Sequence, residues 1–162
     1  MKVGDILLRK RQRAPDMQRV LTVQESEPIA AAVEKMGANR VGALMVTDQA
    51  GNITGIFTER DVVQTLYQLS CHGVHDAPLA DHMTREVVYA QPDEDMFSAL
   101  EKMESRKFRH LPVLDPATNK VVGVISMRDL SAAELDQVKF ERDAMEEMLM
   151  SPGVSAYVPP EK

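Results

Sequence analysis

Apolar positions along the chain follow two rhythms. Ile29, Val33 and Met36 recur at helical spacing, and so do Met96, Leu100 and Met103. These predict helices over residues 28–36 and 96–103, and Pro28 suits a first helical turn. Short apolar runs rich in β-branched residues predict strands over 20–23, 43–47 and 53–57, and again over 87–90, 110–114 and 121–125. Turn residues separate the paired strands, as Asp48-Gln-Ala-Gly-Asn52 and Asp115-Pro-Ala-Thr-Asn119. A second helix follows each strand pair. One starts at Glu59 and runs to near Ser70. The other starts at Met127 and continues into 130–135. The order is β-α-β-β-α, twice, with residues 71–78 as the link. A charged, Met-rich helical stretch then reaches Met150, and residues 151–160 read as a flexible tail.

The two halves align residue by residue. Glu34-Lys-Met36 recurs as Glu101-Lys-Met103, and Val46-Thr-Asp48 as Val113-Leu-Asp115, both at an offset of 67. Gly55-Ile-Phe-Thr-Glu-Arg-Asp61 recurs as Gly123-Val-Ile-Ser-Met-Arg-Asp129 at an offset of 68. The extra residue falls in the turn after the shared aspartate, where insertions are tolerated. A fainter match ties Asp5-Ile-Leu7 to Asp81-His-Met83. The expected fold is mixed α/β (α+β): two repeats packed as a pseudo-two-fold pair, with a C-terminal helix. The expected division is 1–75, 76–135, and 136–162 for the helix and tail.

Composition narrows the function. The 162 residues carry a net charge of −6, with 19 Lys plus Arg against 25 Asp plus Glu. A chain this acidic is a poor general nucleic-acid binder, because such binding neutralises phosphates. No apolar run approaches the ~20 residues a membrane span needs, and the first residues do not resemble a secretory signal. The single cysteine, Cys71, fits a reducing compartment, so a cytoplasmic location is expected. With no Trp and 4% aromatics, the core must come from Val, Ile, Leu, Ala and the 11 Met.

Thr58 and Ser126 each sit where a strand turns into a helix. The free N–H groups and positive dipole end there can hold a phosphate. Asp61 and Asp129 follow three residues on, and Arg60 and Arg128 could offset phosphate charge. Ser/Thr-x-x-Asp is also a capping box, and the two roles can coexist. Before the second repeat's middle strand stands Lys107-Phe-Arg-His110. At the same offset the first repeat has Gly42 and Ala43 opposite Arg109 and His110. Two unequal sites are therefore expected, one competent for phosphate and one degenerate.

The repeat, ending in Gly-aliphatic-aliphatic-Ser/Thr-x-x-Asp, resembles the cystathionine β-synthase (CBS) domain, and two in tandem resemble a Bateman module. The resemblance covers residues 3–135. It implies a non-catalytic regulatory module that binds AMP, ADP or ATP in the cleft between repeats, as in energy sensing. It also implies a homodimer and no covalent cofactor. The site it implies comprises Thr58, Arg60, Asp61, Arg109, His110, Ser126, Arg128 and Asp129, with Thr22, Val23 and Val88 from the first strands. The aspartates would accept from ribose hydroxyls and the Ser or Thr would meet phosphate. NAD or S-adenosylmethionine are alternative ligands. An interaction module with vestigial sites, acting on an unidentified regulated protein, is the alternative function.

Other features carry less. Cys71-His72-x-x-His75-Asp76 with His82 has the donor types of a zinc site but no closed four-ligand spacing. A thiol or histidine enzyme is the third hypothesis, though no triad arrangement or Walker-type loop is present. Arg9-Lys-Arg-Gln-Arg13 reads as a solvated loop, with a polyphosphate or partner contact as the alternative. Ile29, Val33, Met36, Met96, Leu100 and Met103 are candidates for an uncovered dimer face.

Overall fold

The computed structural model describes residues 1–13 and 20–150. In chain order the elements are α1 (Val3–Arg13), β1 (Thr22–Gln24), α2 (Ile29–Asn39), β2 (Ala43–Thr47), β3 (Ile53–Thr58), α3 (Glu59–Gln68), α4 (Met96–Arg106), β4 (His110–Asp115), β5 (Lys120–Ser126) and α5 (Met127–Met150). A 3-10 turn, Leu79–Asp81, begins the second repeat. The tail expected over 151–160 lies outside the described residues.

Each repeat builds its own core from equivalent positions. Ala32, Met36, Leu44 and Val46 in the first repeat match Ala99, Met103, Leu111 and Val113 in the second, and all are buried. Phe57 and Ile125, related by the offset of 68, are both fully enclosed. Burying each of the larger side chains contributes roughly 1.5–3 kcal/mol. The core is built this way because the helical stripe of α2 and α4 meets the inner face of each strand pair.

The local geometry repeats as well. α2 ends in Arg40 at φ 52°, and α4 ends in Lys107 at φ 57°. In each case the next N–H reaches back to a helical carbonyl: Val41 to Met36 O at 3.1 Å, Phe108 to Met103 O at 2.8 Å. This six-to-one bond closes a Schellman cap and turns the chain into the next strand. Strand irregularities fall at Val46/Thr47 and at Val113/Leu114, again 67 apart.

Two features depart from expectation. First, residues 87–90 do not form a strand. The first sheet has three strands, with β1 parallel to β2. The second has only β4 and β5, and Ala90 makes a lone parallel bridge to Val113. Pro112 is the physical reason. In the first repeat Met45 N–H donates to Leu21 O at 3.0 Å. The equivalent pair is residue 112 with Val88, and proline has no N–H to donate. Second, residues 3–13 form a helix, and the basic run is its last turns, not a solvated loop.

That helix exchanges partners. Val3, Ile6 and Leu7 of α1 are buried in the core of the second repeat. Ala77 and Leu79, with Met83 packed at the margin, belong to the core of the first. Two glycines accept these crossing segments. A Cβ on Gly123 would lie 2.7 Å from Leu7, and one on Gly55 would lie 2.9 Å from Met83 Sδ. Leu7 and Met83 are the equivalent residues of the faint match, so the structure is two-fold down to these contacts.

The apolar face expected at the dimer interface is mostly internal. Ile29, Met36, Met96 and Met103 are buried in their own cores, where the strand faces cover them. Val33 remains exposed, and Leu100 packs against the second core. The large exposed apolar side chains are elsewhere, including Val63, Leu66 and Tyr67 on α3 and Leu135, Val138 and Phe140 on α5.

Candidate functional site

Two cavities lie between the repeats, and each takes its walls from both. The first, of about 530 Å³, brings Thr58, Arg60 and Asp61 against Val87, Val88, Arg109 and His110. The second, of about 970 Å³, brings Ser126, Arg128 and Asp129 against Val20, Leu21, Arg40 and Gly42, with the last turns of α1 along one side. The exchange of α1 is what carries Lys10 and its neighbours into the second cavity.

The strand-to-helix turns make the caps expected of them. Asp61 Oδ2 accepts from Thr58 N and from Thr58 Oγ1, both at 2.7 Å. Asp129 Oδ2 accepts from Ser126 N and Ser126 Oγ, again at 2.7 Å. Both are capping boxes, and in both the bonds converge on one carboxylate oxygen. The other oxygen, Oδ1, is the atom left for a ligand hydroxyl. Both hydroxyl protons point at the carboxylates, so a phosphate contact requires the hydroxyl to rotate.

Of the sequence-expected residues, Thr58, Arg60, Asp61 and Val88 share the smaller cavity, while Ser126, Arg128 and Asp129 share the larger. Thr22 and Val23 line neither. Val23 is buried in the first core, and Thr22 is exposed on β1. Val20 and Leu21 line the larger cavity instead. The offset of 67 pairs Val20 and Leu21 with Val87 and Val88, and that register was the available signal. Sequence reasoning also missed Lys10, whose Nζ lies 2.7 Å from Asp129 Oδ2 and 2.8 Å from Val124 O. The alternative read for the basic run, contact with a polyphosphate, concerns this same face.

Arg109 and His110 line both cavities, so they do not by themselves make one site competent and the other degenerate. His110 sits at the junction. Gly42 admits it: a Cβ there would fall 2.8 Å from the imidazole. Burial pushes the imidazole below its ordinary pKa of 6.5, against the opposing pull of the Glu59 carboxylate. His110 is therefore neutral at pH 7, a ring able to donate from one nitrogen and accept at the other. Arg60 donates to the carbonyl of Lys107, tying the start of α3 to the other repeat.

The family model for the CBS domain matches residues 4–68 and 79–136. The chain belongs to the CBS-domain family. Its two copies form a CBS pair, and solved relatives share the arrangement. A CBS-domain containing protein from Agrobacterium tumefaciens is 31% identical with a TM-score of 0.74, over 83% of this chain and 99% of that one. The CBS domain pair of protein MJ0100, solved in complex with 5′-methylthioadenosine and S-adenosyl-L-methionine, is 25% identical with a TM-score of 0.67, over 82% of this chain and 98% of that one. A 17.7 kDa protein of Acidianus ambivalens is 34% identical over 73% of this chain and 69% of its own length. Against a CBS domain-containing protein of Arabidopsis thaliana, 32% identical over 74% of this chain, the pair spans 21% of the length.

Among the described residues no three His, Cys, Asp or Glu side chains are grouped to hold a metal ion. Cys71 is an exposed free thiol. No described helix is long and apolar enough to cross a membrane.

Proposed function

We propose that this CBS pair is a sensor for adenosine-containing ligands, AMP, ADP or ATP, with no turnover of its own. Ligand in the cleft favours one relative placement of the two repeats, and a regulated partner reads that placement. The single observation that carries the reading is the composite smaller cavity. Its Thr58–Asp61 turn comes from one repeat, and its Val87, Val88, Arg109 and His110 come from the other. A ligand there touches both repeats at once, so its binding energy depends on how they sit. Asp61 would accept from the ribose hydroxyls, the valines would flank the base, and Arg109 would meet phosphate.

S-adenosylmethionine is the second reading, favoured by the ligands that the MJ0100 pair holds. It would use the same aspartate and valines but bring an α-carboxylate, not a phosphate, to Arg109. The proposal includes a homodimer, supported by the exposed Val63, Leu66 and Tyr67 of α3, and a cytoplasmic location, supported by the free thiol of Cys71.

The test is a thermal-shift titration with AMP, ADP, ATP, NAD, S-adenosylmethionine and 5′-methylthioadenosine, followed by calorimetry of Asp61→Ala. At 100-fold excess over its dissociation constant, a ligand adds about 2.7 kcal/mol of stability. Asp61→Ala is expected to weaken the binding ligand tenfold or more, since two charge-assisted bonds of about 1.5–3 kcal/mol each are lost. No shift with any of the six ligands overturns the reading and leaves the interaction module.

A further inference from the structure

The basic run at the end of α1 is the feature the nucleotide reading leaves unused. It lies along the larger cavity, and Lys10 pairs with the cap oxygen of the aspartate there. Asp129 Oδ2 accepts from Ser126 N, Ser126 Oγ and Lys10 Nζ together. Both partners of the ion pair are mostly buried, with side-chain exposures of 28% and 20%. The smaller cavity has no such occupant among the described residues. Its crossing segment brings Met83 and Thr84 where α1 brings Lys10, and Asp61 accepts only from its own cap.

The two cavities also differ in charge. Seven Arg or Lys side chains and three carboxylates line the larger one, against four and three in the smaller. Arg9 and Arg13 are engaged with Asp136, and Arg11 with Val122 O. Arg40, Arg109 and Arg128 have no side-chain partner among the described residues.

We infer that the larger cavity takes a nucleoside polyphosphate and refuses the bare nucleoside, and that Lys10 makes the distinction. The inference rests on reading the cleft as an adenosyl site. A ribose arriving alone has Asp129 Oδ1 to donate to, but on a carboxylate whose charge the ammonium on Oδ2 already neutralises, so its bonds are weaker than those at Asp61. A chain of two or more phosphates offers the ammonium a second anion. The ammonium stands on a flexible four-carbon stem, so it swings from Oδ2 to phosphate and restores the full carboxylate charge to the ribose on Oδ1. Arg40 and Arg128 are ready to hold the remaining phosphate charge. At Asp61 no exchange is needed, so the nucleoside itself suffices.

The experiment is calorimetry of the full chain with adenosine and with ATP. Asp61→Ala is used as the background, so that the larger cavity is read alone. Expected there is ATP binding with adenosine at least tenfold weaker. Adding Lys10→Met reverses both affinities: adenosine tightens about tenfold and ATP weakens about tenfold. Lys10→Gln gives the same reversal and guards against a packing artefact of methionine. A structural role for Lys10 moves both ligands the same way, and that result, or no change in the ratio, overturns the inference alone provided the unsubstituted chain binds adenosine at Asp61. If the unsubstituted chain binds neither adenosine nor ATP, the adenosyl reading of the cleft fails and this inference falls with it.

Discussion

The two repeats share a core and differ along one strand edge. In the first repeat, β3 is closed by backbone: Ile56 N–H donates to Thr84 O at 2.9 Å, and Thr84 N–H returns the bond to Ile56 O at 3.0 Å. In the second, the crossing segment is α1, whose interior backbone is already paired within the helix. Side chains do the work instead, with Lys10 donating to Val124 O and Arg11 to Val122 O. Exposed strand edges need partners, and the two repeats meet that need with different groups. The consequence reaches the ligand cavities. A backbone closure leaves Asp61 accessible, whereas a side-chain closure brings an ammonium to Asp129. A difference in how an edge is covered becomes a difference in the charge that stands beside each aspartate.

The largest expected effect of breaking this comparison is at the paired glycines. A methyl on Gly55 would stand 2.7 Å from the carbonyl oxygen of Thr84, so the backbone bridge must move. Gly55→Ala is expected to cost about 1–3 kcal/mol. A methyl on Gly123 meets only the side chain of Leu7, Cδ2 at 2.7 Å and Cδ1 at 3.3 Å, the far end of a flexible side chain. Gly123→Ala is expected to cost under about 1 kcal/mol, since the leucine can turn aside. Urea denaturation of both variants measures this. Equal costs would show that the two edges are closed with equal rigidity.

A second substitution sharpens the comparison of the sheets. Pro112→Val restores an N–H at the position equivalent to Met45. Residue 112 is buried where β4 borders the smaller cavity, and valine suits a strand. The new donor can reach Val88 O, and a typical net hydrogen bond adds about 0.5–1.5 kcal/mol. The expected result is a second parallel strand over the residues before Ala90, seen as slowed amide exchange at residue 112. An amide at 112 that exchanges freely in the variant would remove proline as the cause of the missing strand.

Much of this was legible because the repeat makes the chain its own alignment. The offset of 67 paired the buried residues of both cores, and the offset of 68 paired the two strand-to-helix turns. The exchange was not legible. Val3, Ile6 and Leu7 have helical spacing, but the five charged or amide side chains over 9–13 mask the helix, and nothing local says which repeat it joins. The faint match of Asp5-Ile-Leu7 to Asp81-His-Met83 was the one sign of it. The loss of the strand over 87–90 needed the pairing register as well as the pattern, because Pro112 acts on a residue 24 positions away. Lys10 in the cavity follows from the exchange and was hidden with it.

The smallest expected effect concerns His110, where the two cavities meet. Burial lowers its pKa in the folded chain, and Lys10 and Arg109 add to the lowering. The carboxylates of Glu59 and Asp129 oppose it. The unfolded chain takes up this proton near the ordinary value of 6.5, before the folded chain does. The stability tied to the neutral ring is therefore complete above that value. It falls as the pH drops through 6.5 toward the lower folded pKa, and it levels off once both forms are protonated. Carboxylates contribute their own acid dependence, so the useful quantity is a difference. Denaturation of the unsubstituted chain and of His110→Gln at pH values of about 7.5 and 5.5 isolates the imidazole, since glutamine does not titrate. The unsubstituted chain is expected to lose more stability across that interval than the variant. An equal loss, or a greater one in His110→Gln, would mean that the ring is as easily protonated in the cleft as in water, and that the junction between the two cavities is open to solvent.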